Sequence, residues 1–276
     1  MPRIQNLAFL STAAFLSAMG CTSASAEIPL APHRAVYELS LLSGKGSEAP
    51  AQARGRIAYE FRGNACEGYT VNFRQATEMV SSEGKPQLLE TRSTTYESGD
   101  GKTFRFRIET LSGGNRTKLL EGEAERAPDA LSVRMKSPAP ARADLGTAGF
   151  FPVQQTQKGL EAARAGEMTL EMPAYDGSND GQSVYHSLNI IGRQMTKPSN
   201  DPVEALPEMK DMRRWPVVTS YFDQSKPDGE PLYVLSFEMW DNGISSNLKL
   251  DYGDFILAGK VSQFELLKSV PCEPGK

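Results

Sequence analysis

The amino-acid sequence predicts a mainly β protein: a long antiparallel sheet curled into a spiral or open barrel, with one or two short helices. Three observations predict it. Large apolar residues recur at every second position through most of the chain, turn-forming Gly, Asn and Asp clusters separate those runs, and one segment switches to helical spacing. Strict alternation belongs to strands with one buried and one wet face, whereas parallel sheets covered on both sides give continuous apolar runs. The runs number about a dozen, more than an open sheet usually holds without curling.

The leader comes first. Arg3 is followed by the apolar and small-residue stretch Leu7 to Met19 and then Ala24-Ser25-Ala26, the small-x-small pattern that signal peptidase prefers. Cleavage after Ala26 is expected, leaving residues 27–276 as a single β-rich periplasmic domain. The apolar stretch is shorter than the ~20 residues needed to cross hydrocarbon. The alternative is a lipoprotein anchored through Cys21, since Gly20-Cys21 resembles the end of a lipobox, although Ala18 stands where that motif usually has Leu.

Strand-like alternation then runs through Ile57-Tyr59-Phe61, Tyr69-Val71-Phe73, Phe104-Phe106-Ile108, Leu131-Val133-Met135, Met168-Leu170-Met172 and Tyr233-Leu235-Phe237-Met239. Ser98 to Gly101, Ser112 to Asn115, Asp176 to Gly181, Pro227-Asp228-Gly229 and Asp241-Asn242-Gly243 supply residues that tolerate positive φ or bond their own backbone, as hairpin connections require. The helix is expected over about 152–165, with Pro152 at its first position and Gly166 just beyond its last turn. Val153, Thr156, Leu160 and Ala163 line one side, and Gly159 weakens it by ~1 kcal/mol relative to Ala. A shorter helical turn is expected over Val203 to Met212, after the loop Lys197 to Pro202.

Composition narrows the function. With 39% apolar residues the chain can bury a sizeable core, so wholesale disorder is excluded. Its 30 basic against 34 acidic residues offer no excess of positive charge for a phosphate backbone, so no nucleic-acid partner is expected. Loss of Arg3 with the leader takes the net charge from −4 to −5. Two histidines, His33 and His186, and three cysteines leave few ligands for metal or haem chemistry, and no cofactor or metal is expected.

After cleavage Cys66 and Cys272 are the remaining thiols. In an oxidising compartment such a pair is most often a disulfide, with two free thiols or a redox pair as alternatives, the latter disfavoured because no Cys-x-x-Cys is present. A bond between them would close nearly the whole mature domain and fasten the C-terminal tail to an early strand, contributing up to roughly 5 kcal/mol.

No catalytic residue is nominated. His186 shares parity with Val184, Leu188 and Ile190 and reads as a buried structural histidine. His33 lies just before a strand, and no Ser sits in a Gly-x-Ser-x-Gly elbow. Asp176, Ser178 and Asp180 resemble the start of a calcium loop, but Ser187 occupies the place of its closing acid, so the segment reads as a turn. Asp251 and Asp254 flank Gly253, which allows a bulge or bend while the acids stay wet. Asn115-Arg116-Thr117 matches a glycosylation sequon and carries no weight in a bacterial-type export context.

Several phrases taken together resemble the EipB family of alphaproteobacterial periplasmic proteins. They are Pro32-His33-Arg34-Ala35-Val36-Tyr37, Gly55-Arg56, Cys66-Glu67-Gly68-Tyr69, Phe151-Pro152 with Ala162 to Glu167, Asp176-Gly177-Ser178, Trp215-Pro216-Val217, and Asn242 to Ser245 leading to Leu250 to Phe255, with Cys272 near the end. The resemblance implies a long antiparallel sheet wound into a spiral, partly like lipoprotein carriers, with a disulfide that falls on Cys66 and Cys272. It further implies a non-enzymatic role in cell-envelope integrity and envelope-stress resistance through protein contacts, with a periplasmic tetratricopeptide-repeat protein as partner. A monomer is the expected state. The alternative is a carrier or binder of a lipid or other amphiphile in the curled-sheet cavity, where the methionines of Met168 to Met172 and Met239 would line the wall adaptably.

Overall fold

The computed structural model describes residues 28–46, 49–146, 149–198, 201–224, 226, 229–270 and 272. The expected leader, with Cys21 and the expected cleavage position after Ala26, lies outside the described residues, as do Pro227 and Asp228.

The alternating runs form β1 (His33–Gly44), β2 (Gln52–Asn64), β3 (Gly68–Val80), β4 (Pro86–Glu97), β5 (Thr103–Ser112), β6 (Asn115–Ala127), β7 (Ala130–Ser137) and β8 (Ala141–Asp144). After the helix α1 (Pro152–Ala165) come β9 (Thr169–Ala174), β10 (Tyr185–Ile191), β11 (Arg214–Asp223), β12 (Tyr233–Trp240), β13 (Ser245–Asp251) and β14 (Phe255–Leu266). All belong to one 14-stranded sheet that runs from β8 down to β1, then from β14 down to β9. The chain therefore meanders from the middle of the sheet to one edge, crosses through α1 to the other edge, and returns until its last strand pairs antiparallel with its first.

The sheet curls without closing. Bulges between Val36 and Tyr37, Leu41 and Ser43, Glu121 and Gly122, and Ser236 and Glu238 bend it and sharpen its twist. The free edge of β9 is met by Phe150, whose N–H donates to the Pro173 carbonyl at 2.8 Å and whose carbonyl accepts from Tyr175 N–H at 3.0 Å.

α1 occupies the interior of the curl. Val153, Leu160, Ala162 and Ala163 pack with Phe61 and Tyr69 of β2 and β3, and with Ile191, Trp215, Val217 and Met239 of β10 to β12. The helix thus joins strands far apart in the sheet order, and each fully buried Leu or Val contributes roughly 1.5–3 kcal/mol. Its bounds match the sequence expectation. Gly166 takes the left-handed conformation (φ 77°) and, with Glu167, returns N–H groups to the Ala163 and Ala162 carbonyls. Phe151 offers no side-chain cap at the other end. Glu97, at the end of β4, supplies it by accepting from Val153 N–H at 2.8 Å and Gln154 N–H at 3.1 Å.

A second cluster fills the curl between β1, β2, β13 and β14, where Val203 and Met209 are fully buried with Trp240 and Ile244. The turn expected over Val203 to Met212 is split into two 3-10 turns, Pro202–Ala205 and Pro207–Met209, because Pro207 has no N–H to continue the first. A third cluster joins Phe104, Phe106, Leu131 and Val133 to Phe151 and Tyr175. The Asp176 to Gly181 loop connects β9 to β10 as expected and also folds across β5 to β7. At Gly177 (φ 73°) a Cβ would lie 2.6 Å from the Phe106 ring, so only glycine admits this contact.

The wet face of β2 to β6 carries a ladder of ion pairs, both across and along the strands. Arg54 reaches Glu78 at 3.1 Å, Arg74 and Arg92 share Glu90 at 2.5 and 2.6 Å, and Arg107 reaches Glu121 at 2.7 Å. Each is worth little alone, and together they keep this face charged.

Candidate functional site

Cys66 and Cys272 are bonded, with Cα atoms 5.6 Å apart. The tail is tied to the turn between β2 and β3. Asn64 organises the junction: its Oδ1 accepts from Cys66 N–H at 2.8 Å and Glu67 N–H at 2.9 Å, while its Nδ2 donates to the Val270 carbonyl at 3.0 Å.

The two histidines occupy opposite faces, and His186 departs from its expected place. His33 is buried, its Nδ1 donates to the Ala31 carbonyl at 2.7 Å, and it lies among the Tyr59, Phe61 and Phe264 rings. Burial lowers its pKa, so the ring is neutral. His186, expected to be buried, has a side chain 40% exposed on the outer face, 3.5 Å from Glu171 and against Phe222. The inward residues of β10 are instead Tyr185, Ser187, Asn189 and Ile191. Two of these are polar, and both are satisfied: Ser187 Oγ donates to the Met172 carbonyl at 2.9 Å and Asn189 Nδ2 to the Leu170 carbonyl at 3.1 Å. An apolar-parity rule cannot register a polar inner row paired in this way.

Asp176 and Asp180 act as turn formers, accepting from Ser178 N–H at 2.9 Å and Gln182 N–H at 2.8 Å. Among the described residues no group of three or more His, Cys, Asp or Glu is arranged to hold a metal ion. Asp251 and Asp254 bracket the β13–β14 hairpin turn, where Asp251 Oδ1 accepts from Gly253 N–H at 2.8 Å.

Two features remain as sites. The first is a cavity of about 250 Å³ enclosed by one side of α1 and the inner rows of β10 to β12. Its floor holds Asn189 and Thr219, whose Oγ1 donates to Asn189 Oδ1 at 2.7 Å. Ile191, Val217, Leu235, Phe237 and Met239 form the apolar wall, and Asp176, Tyr185 and Tyr221 lie at one end. Burial raises the Tyr185 hydroxyl to about 12 and pushes Tyr221 up as well. Met239 lines the cavity, whereas Met172 packs elsewhere in the core and Met168, at 58% exposure, points to solvent. The methionine-lined wall expected from the sequence is thus reduced to one residue.

The second feature is the outer face of β10 and β11. His186, Leu188, Ile190, Pro216, Val218, Ser220 and Phe222 alternate with the inward rows. None is Lys, Arg, Asp or Glu, in contrast to the ion-pair ladder of β2 to β6. Ile190 is paired with Val218 and both are exposed. This exposed apolar pair within an uncharged row makes the face a candidate interaction surface.

Comparison with known proteins agrees with this architecture. The family model described as EipB-like matches residues 24–268. The chain is 33% identical over 249 residues to the cell envelope integrity protein EipB of Brucella abortus (strain 2308), covering 90% of this chain and 88% of that relative. A crystal structure of a beta-barrel-like protein with a domain of unknown function, also from Brucella abortus, superposes with a TM-score of 0.82 at 31% identity, over 87% of this chain and 100% of that one. No helix among the described residues is long and apolar enough to cross a membrane.

Proposed function

We propose a function from the premise that this chain belongs to the EipB-like family: it is a non-catalytic, periplasmic protein that supports cell-envelope integrity and stress resistance through protein contacts. The uncharged outer face of β10 and β11 carries this reading, because it offers a partner apolar area at little desolvation cost, in contrast to the ion-paired outer face of β2 to β6. The partner class is a periplasmic tetratricopeptide-repeat protein, whose stacked helices present an extended concave surface suited to a convex sheet. Complementation of a deletion strain tests this. The double variant Ile190→Glu/Val218→Glu should be exported and folded yet fail to restore resistance to detergent and cell-wall antibiotics. Full restoration would remove the outer face from the function.

The interior cavity favours a second reading, binding of an amphiphile. Its volume of about 250 Å³ lies just below the ~300–1,000 Å³ of typical ligand pockets, enough for a headgroup or a short chain but not for a whole two-chain lipid. Native mass spectrometry of gently purified protein separates the two readings: a copurifying amphiphile supports the second.

A further inference from the structure

We propose that the cavity between α1 and β10 to β12 binds an amphiphile whose headgroup is an organic ammonium cation. This rests on the second reading above and names its ligand. Three features of the lining support it.

The first is charge. Asp176 is the one formally charged residue of the lining, and no Lys or Arg lines the cavity to neutralise it. One carboxylate oxygen accepts from Ser178 N–H at 2.9 Å, which fixes the side chain at the cavity's end. A carboxylate held beside apolar walls attracts a cation and repels an anionic headgroup.

The second is the aromatic pair beside it. The Tyr185 and Tyr221 rings lie 6.4 Å apart at 83°, an edge-to-face pair that lines the cavity together with Asp176. The hydroxyl of Tyr185 is held 3.1 Å from Ser178 Oγ, so its orientation is set by the same turn that positions the carboxylate. A tyrosine ring face attracts an ammonium through its quadrupole, most strongly where water is excluded.

The third is the space behind the headgroup. Beyond the aromatic end the wall is apolar, and α1 presents Gly159 to it. Glycine is among the poorest helix formers, yet a Cβ here would meet nothing closer than Met239 Sδ at 3.7 Å, an ordinary contact. Without a side chain here, the helix leaves its cavity-facing side open.

Titration calorimetry of the mature, oxidised protein tests the assignment with decyltrimethylammonium, decanoate and decyl maltoside, each below its micelle threshold, and with tetramethylammonium. Decyltrimethylammonium should bind one per chain, at least ~10-fold tighter than decanoate, with tetramethylammonium weaker than its decyl homologue. Asp176→Asn keeps the size of the side chain and an oxygen for the Ser178 N–H, and should weaken the cation by roughly 5- to 10-fold with an unchanged circular dichroism spectrum. Gly159→Leu should abolish uptake. Equal affinity for all three decyl probes, or an unaltered Asp176→Asn, overturns the ammonium assignment while an amphiphile site stands. Tetramethylammonium binding as tightly as the decyl compound overturns the chain-binding part. Uptake of no probe overturns both this proposal and the reading it rests on.

Discussion

Glu97 is a buried carboxylate, 2% exposed, that caps α1 by accepting from two amide groups at the helix start. Burial raises its pKa from 4.5 to about 7, outweighing the two amide donors and nearby Arg126, which pull the other way. The folded chain therefore holds this proton more tightly than the unfolded chain does. The associated stability is fully present below about 4.5 and lost as pH rises through about 7. Glu97→Gln cannot ionise, so its stability relative to wild type should rise across that window, by roughly 3 kcal/mol at most. Denaturant midpoints of both proteins at several pH values check this; a constant difference would mean that Glu97 is ionised throughout. Nothing in the sequence pointed to this residue. The neighbouring positions Thr91, Ser93 and Thr95 are polar, and the amides it caps lie 56 residues onward. Cys66 and Cys272 were legible because the expected cleavage after Ala26 would leave them as the two remaining thiols, whereas His186 was misplaced because the inner row of β10 is half polar.

Among the elements, α1 was legible to the residue because Pro152 and Gly166 mark its ends by their own backbone chemistry. Its place inside the curl was only partly legible. Val153, Leu160 and Ala163 are buried as the stripe implies, Thr156 is half-buried, and Ala162 is buried by a contact outside the stripe. Gly159→Ala should raise thermal stability by about 1 kcal/mol, since the helix gains propensity and the added methyl has room. Melting of the two proteins measures it directly, and a destabilised Gly159→Ala would show that the cavity wall is tighter than its 3.7 Å contact implies. Strand positions followed from the alternation. Strand order did not, because a period of two reports which face a residue takes and not which strand lies beside it. The pairing of β1 with β14 and the crossing of α1 from one sheet edge to the other appear only in three dimensions.

The whole molecule is a spiral whose ends are secured in different ways. Its first and last strands are paired, its β9 edge is met by Phe150, and its tail is bonded from Cys272 to Cys66 across 206 residues of chain. Removing the bond enlarges the unfolded ensemble, so Cys66→Ser should lower stability by up to about 5 kcal/mol in non-reducing buffer and match the wild type in reductant. Equal melting of the variant and the oxidised wild type would leave the bond without a stabilising role. The same spiral separates two outer surfaces, one laced with ion pairs and one uncharged, and protein contact through the second is the central functional claim. A photo-crosslinking residue placed at Val218 in the living envelope tests it most directly, with the same residue at Arg107 on the charged face as control. A discrete protein adduct should form at position 218, vanish when Ile190 is changed to Glu, and be absent at position 107. No adduct at 218, or the same adducts from both faces, would contradict it.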